Sequence, residues 1–589
     1  MKRLMTAALA LIIGLSACDL LDTVPKSSLA PENYFRTRTD LQLFSNTFYN
    51  NLLDKTPYEQ QSDYQIHLNL SSLMHGGNYR VVPASGNGWT WTDLRKLNTM
   101  LGHIDNCDDE EAVKEYTGLC KFFRAYIYAD KVRRFGDVPW VDVELGSADE
   151  ALYNPRDSRD VVLSHMIEDI DDAIASLPSK VSTYRVNKWA ALALKAQFCL
   201  FEGTWRKYHA NDVYKVAGKE YSYFLDLAAD AAKQIIDGGV YKLAPDYLTL
   251  FAEVDADKDE YILAIKNDFS LAIFNNCNAY AIMPTQGTPG LTKKFIDTYL
   301  MKDGSRFTDR EGWETMEFKE EVADRDPRLA FTVRTPGYKR IGSNELASID
   351  LSCTNTGFQL AKWVQDCTLE GVDRVDRATN DMPVYRYGEV LLMYAEALAE
   401  NGKLTQAALD ESVNLLRDRV GMPHMVLSGL TVDPYLISPE YGYQNPILLA
   451  DPHLAEILEV RRERGVELAV EGKRWYDLMR WAEGKCIEQP LQGMWFPGPG
   501  EYDLDGDGVN EVCLYTGSKP KTNARFVLQI GSESGIILSN GTYGYVDRQQ
   551  GIQHVFDPGR DYLYPIPINE RSLNKNLAQN PGWDDGLDF

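Results

Sequence analysis

The chain has 589 residues, 44% of them apolar and 25% charged, a composition that fits neither a disordered nor a fibrous protein. Its 61 Lys and Arg stand against 86 Asp and Glu, a formal net charge of −25. That balance argues against nucleic acid as a ligand and against docking on an anionic membrane through a basic face. It leaves room for a local basic pocket.

Lys2 and Arg3 precede an apolar stretch over residues 4–15, and Leu15-Ser16-Ala17-Cys18 follows. This is the layout of an export signal, too short to span a bilayer as a mature helix. Leu-Ser-Ala-Cys resembles the lipobox of bacterial lipoproteins. The resemblance implies removal of a signal peptide over 1–17, acylation of Cys18 and a polar tether over 18–30. An ordinary signal peptide with a chance cysteine is the alternative. No later stretch is apolar for long enough to cross as a helix, so the expected protein is anchored through its lipid and does not span.

Helical signals form two blocks. In the first, 31–251, the pattern predicts helices over 111–134, 158–176, 187–202 and 222–237. Ser158 and Asn187 are plausible caps, and Gly136, Gly203 and Gly238-Gly239 plausible stops. In the second, 384–483, helices are expected over 384–400, 404–420, 452–470 and 472–483. Val384, Tyr387, Leu391, Tyr394 and Leu398 recur at helical spacing. The fold class is therefore mainly α: about four helical hairpins of tetratricopeptide-like kind, without the regular ~34-residue period of that repeat. Two loop-rich insertions with short strands are expected, 252–383 and a glycine-rich 484–560, ahead of a C-terminal segment 561–589. Long loops on a rigid scaffold are where binding residues gather.

Catalytic spacings are missing: there is no H-E-x-x-H, no Walker A loop, no G-x-S-x-G and no G-x-G-x-x-G. None of the cysteines after Cys18 is spaced C-x-x-C, and buried free thiols are the expected state, with disulfides left open. One ion motif stands out. In DLDGDGVNE, Asp503, Asp505 and Asp507 alternate ahead of Gly508, which matches a calcium loop completed by the Val509 carbonyl and Glu511. Leu514 stands where a helical EF-hand carries its bidentate glutamate, and a solvated Asp-Gly turn is the competing reading. Aromatic residues make up 11% of the chain. Flat rings beside Asn, Asp or Arg suit the C–H faces and hydroxyl rims of sugars. The candidates are Asn78, Tyr79, Arg80 and Trp89 in the glycine-rich stretch 75–91, with Trp313 and Trp363 in the first insertion. Core packing is the rival explanation for each.

CKFFRAYIYADKVRRFGDVPW (120–140), YRYGEVLLMYAEALAE (385–400), EVRRERGVELAVEGKRWYDLMRW (459–481) and YLYPIPINERSLNKNLAQNPGW (562–583) resemble, in this order, the hallmark segments of the SusD/RagB family. The resemblance implies a surface-facing outer-membrane lipoprotein that captures a nutrient, most often a glycan, over a SusC-like TonB-dependent transporter and catalyses nothing. Peptide capture of the RagB kind is the alternative cargo, and a surface glycoside hydrolase a remote third reading. Arg133-Arg134-Phe135-Gly136 and Pro565-Ile566-Pro567 speak for the family rather than for a ligand.

Overall fold

The computed structural model describes residues 34–180 and 182–589. The expected signal peptide, Cys18 and the tether lie outside the described residues. The scaffold is an array of helices: α1 (Arg38–Leu52), α2 (Thr92–His103), α3 (Glu110–Phe135), α4 (Arg159–Ser176), α5 (Lys188–Tyr208), α6 (Tyr221–Gly238), α7 (Tyr387–Glu400), α8 (Val413–Val420), α9 (Leu454–Glu467) and α10 (Arg474–Arg480). Neighbours in this order pack along one another from α3 to α7, α9 lies on α7, and α10 returns to α5. Among the described residues no helix is long and apolar enough to cross a membrane.

Local chemistry explains the helix ends. Asp109 and Asn187 accept hydrogen bonds from first-turn amides of α3 and α5, and α6 stops at Gly239 in the left-handed conformation. Three expectations are corrected. Gly203 does not end its helix: α5 runs on to Tyr208, and a Cβ at Gly203 would come within 2.6 Å of Leu225. The glycine is there to let α5 and α6 approach. Val384 belongs to a strand, so α7 starts only at Tyr387. The stretch 404–420 is broken at Ser412, whose φ −137°, ψ −92° leaves the helical region. Helices α1 and α2 were not among the eight expected.

Among the described residues, short strands pair in four places. β1 (Gln65–Ile66), β2 (Tyr261–Ile265), β3 (Gly290–Leu291) and β4 (Met382–Arg386) form the antiparallel pairs β1–β3 and β2–β4. β5 (Trp495–Phe496), β6 (Gly500–Tyr502), β7 (Val512–Tyr515), β8 (Phe526–Gln529) and β9 (Gly544–Tyr545) form the pair β5–β9 and a sheet β6-β7-β8, in which β6–β7 is antiparallel and β7–β8 parallel.

Among the described residues, buried apolar side chains gather in two clusters. One fills the helical array; the other joins 244–382 to 494–546 around Tyr247, Phe251 and Trp363. Between them lies a buried ionic network. Arg386 donates to Glu260 at 2.9 Å, to Glu467 at 2.8 Å and to both oxygens of Glu471. Arg419 adds a two-oxygen contact with Glu467, and Arg328 spans Asp326, Glu463 and Glu467. Buried charges are tolerable only when paired in this way. The network fixes where the loop-rich half sits on the helices. The eight cysteines among the described residues are free thiols; Cys367 is exposed and the other seven are buried.

Candidate functional site

Several part-exposed aromatic residues lie close together on the loop-rich half. Gly312, at φ +74°, opens a turn Trp313–Thr315 that holds the Trp313 ring half-exposed. Its neighbours are Tyr435, edge-on at 5.4 Å, and Tyr441, at 6.4 Å and itself stacked on Tyr435. The hydroxyl of Tyr545 on β9 donates to the Glu314 carbonyl at 2.7 Å. Tyr545 in turn meets Trp495 on β5 at 5.0 Å, and Trp495 meets Tyr543 at 6.0 Å. Two groups of part-exposed rings, Trp313 with Tyr441 and Tyr545 with Trp495 and Tyr543, are thus joined through the Tyr545–Glu314 hydrogen bond, with exposed Arg310, Glu314, Glu440 and Asn540 beside them in the chain. Rings offer apolar faces at little rotamer cost, and the polar neighbours supply donors and acceptors.

Charge is buried behind these rings. Lys293 sits 5.7 Å from the Trp313 centroid and bridges Asp297, at 2.9 Å, and Glu321. Burial above all, with Glu321 beside it, pushes Asp297 up to about 7 against the pull of Lys293. Two carboxyls on one ammonium make this support pH-sensitive.

The other sequence candidates are dispersed. Trp363 is a core residue at 1% exposure, its indole N–H donated to the Val470 carbonyl. Trp89 is also core, at 5%, edge-on to Phe135. Neither can offer a ring face as expected, because neighbouring hydrophobic side chains already cover them. Trp89 and Trp91 border a separate apolar cavity of about 440 Å³. Asn78 is exposed, and Tyr79, 65% exposed, stacks on His75 at 4.4 Å. Arg80 is buried, donating to the Asp561 carbonyl at 2.7 Å and paired with its carboxylate at 3.2 Å. Tyr79 and Arg80 line the edge of a cavity of about 660 Å³ with Arg133, Arg134, Tyr476, Tyr564 and Trp583. Trp313 lines none of it.

The acidic loop joins β6 to β7. Asp503 accepts from the Gly506 and Gly508 amides and pairs with Lys319 at 3.0 Å; Asp505 and Asp507 each accept an amide two residues on, and Glu511 accepts that of Leu504. The four carboxylates bring one oxygen each to within 4.8 Å of one another. Burial, with the like charges of Asp507 and Asp503 adding, raises Asp505; burial also raises Glu511, with Asp505 next. Four acids against one lysine is a donor set that suits a hard divalent cation.

Sequence reasoning missed Tyr441, Trp495, Tyr543 and Tyr545. The available signal was the pair of aromatic strands at Trp495-Phe496 and Gly544-Tyr545, inside a segment already read as loop-rich.

Two family models match the chain. One, described as the SusD family, covers residues 274–583 and so runs through 484–560 and most of 252–383. The other, described as starch-binding associating with outer membrane, covers 32–200. The SusD-like protein P2 of Formosa agariphila is 24% identical over 99% of this chain and 100% of its own length. SusD-like protein P38 of the same organism is 23% identical over 82% of this chain and 91% of its own. Among solved structures, a SusD-like carbohydrate binding protein from Bacteroides fragilis superposes with a TM-score of 0.67, at 22% identity, covering 93% of this chain and 100% of that one. A second SusD-like protein from the same species gives 0.65 at 19% identity, covering 95% and 100%.

Proposed function

The chain belongs to the SusD family, and from that premise we propose that it is a non-catalytic, lipid-anchored protein that captures a glycan at the cell surface and passes it to a SusC-like TonB-dependent transporter in the outer membrane. The observation that carries this reading is the run of part-exposed rings from Trp313 to Tyr543, held together by the Tyr545–Glu314 hydrogen bond. Sugar C–H faces stack on the rings, and the polar neighbours take the hydroxyls. The likeness of the fold to a carbohydrate binding protein supports the same cargo.

In this reading Cys18 carries the acyl anchor. A calcium ion held by Asp503, Asp505, Asp507, Glu511 and the Val509 carbonyl orders the β6–β7 loop, where it relieves the mutual repulsion of the acids. Calorimetry of the purified protein against a panel of polysaccharides and peptides tests the cargo. Binding to at least one glycan is expected. Tight binding to peptides and to no glycan would move the function to peptide capture.

A further inference from the structure

The cavity beside Tyr79 lies apart from the Trp313 rings and differs from them in chemistry. Arg133 and Arg134, the last residues of α3 before Phe135, belong to a motif that in sequence speaks for the family and not for a ligand; in the structure both donate to a single carboxylate oxygen, Asp130 Oδ1, at 2.8 to 3.1 Å. Their side chains remain 35% and 30% exposed. The Arg133 guanidinium lies 4.2 Å from the Tyr476 centroid and that of Arg134 5.4 Å from Tyr564. Ring contacts of this kind fix the plane of a guanidinium fork. The remaining fork N–H groups, Nη1 of both arginines and Nη2 of Arg134, have no acceptor among the described residues.

The deeper wall repeats the arrangement. Arg80, which lines the cavity, shares Asp561 with Arg560, which does not. Arg80 Nη2 and the Trp475 indole nitrogen, both on buried cavity-lining residues, lack an acceptor among the described residues. Three guanidiniums, Arg80, Arg133 and Arg134, therefore line the cavity, while its lining acids, Asp54 and Glu59, are exposed, where solvent screens them. Three arginines against two acids in the lining depart from the acidic excess of a chain of net charge −25.

We propose that this cavity is a second binding site, which takes an oxyanion, carboxylate or sulfate, borne on a carbohydrate, so that the protein prefers acidic glycans. Planar forks with free N–H pairs match such groups two bonds at a time, which hydroxyl groups do not reproduce. The proposal rests on the carbohydrate-capture reading and adds its charge class.

The test is calorimetry on the full chain with three oligosaccharides of equal length: neutral, uronate-bearing and sulfated. The expected result is binding of one acidic probe at least about tenfold tighter than the neutral one; which acidic probe wins identifies carboxylate or sulfate. Arg134→Gln should erase this preference while neutral binding stays, and Trp313→Ala should weaken all three probes and keep the preference. If Arg134→Gln does not fold, displacement from the native protein by free galacturonate or galactose 6-sulfate, and not by galactose, decides the same point. Equal or tighter binding of the neutral probe overturns the acidic preference and leaves glycan capture standing. Binding of none of the three defeats both.

Discussion

The Tyr545 hydroxyl donates to the main-chain carbonyl of Glu314 at 2.7 Å, across 231 residues of sequence. That bond joins the Trp313 turn to strand β9, and through Trp495 to β5, so one recognition surface is built from two distant loop-rich segments. Removing it tests whether the surface acts as a unit. Tyr545→Phe should keep the ring packing, cost roughly 1 kcal/mol of stability or less, and weaken glycan binding several-fold. Thermal melts and calorimetry on the same sample separate the two effects.

The ionic network between the two cores should be far less tolerant. Glu467 is fully buried and faces Arg386, Arg419 and Arg328. Glu467→Ala leaves three guanidiniums short of a counter-charge and should cost about 3–5 kcal/mol. Urea unfolding measures this directly, and a loss below 1 kcal/mol would show that the network does not hold the two halves together.

Stability should peak in mildly acid solution. Arginines and Lys207 hold Glu467 and Glu400 near 2 against the cost of burial. With folded values below their unfolded ones, these groups stabilise the fold above about pH 4, and the gain fades as pH falls toward 2. Asp297 and Glu483 are pushed mainly by burial the other way, to about 7. The folded state keeps protons there that the unfolded chain has released, so stability falls as pH rises from about 4 to 7. Asp297→Asn should flatten that upper limb in a series of melts between pH 4 and 8, and an unchanged slope would count against the assignment.

Calcium should raise the melting temperature, and a chelator should lower it, if the β6–β7 loop is ordered by the ion. Asp505→Asn should abolish the response and leave the metal-free melting temperature almost unchanged. A calcium response that persists in this variant would place the ion elsewhere.

Where structure follows from neighbours along the chain, the sequence was informative. The caps at Asn187 and Gly239 and the long amphipathic runs are local effects. What failed depended on distant partners. Gly203 has the local chemistry of a stop, yet Leu225 from the next helix decides its role. Val384 fits a helical stripe, but its strand exists because Tyr261–Ile265 pairs with it. Trp313 and Trp363 are indistinguishable in sequence; one borders solvent and the other is enclosed by Tyr58 and Phe251. Two of the ring partners of Trp313, Tyr435 and Tyr441, come from more than a hundred positions away, which no spacing reveals.

The account stands most directly on the ring surface, and one titration tests it. With the glycan that binds best in a panel, Trp313→Ala and Trp495→Ala should each weaken affinity on the order of tenfold, with melting temperatures close to that of the native chain. Native-like affinity in both variants would contradict the assignment of glycan capture to this surface.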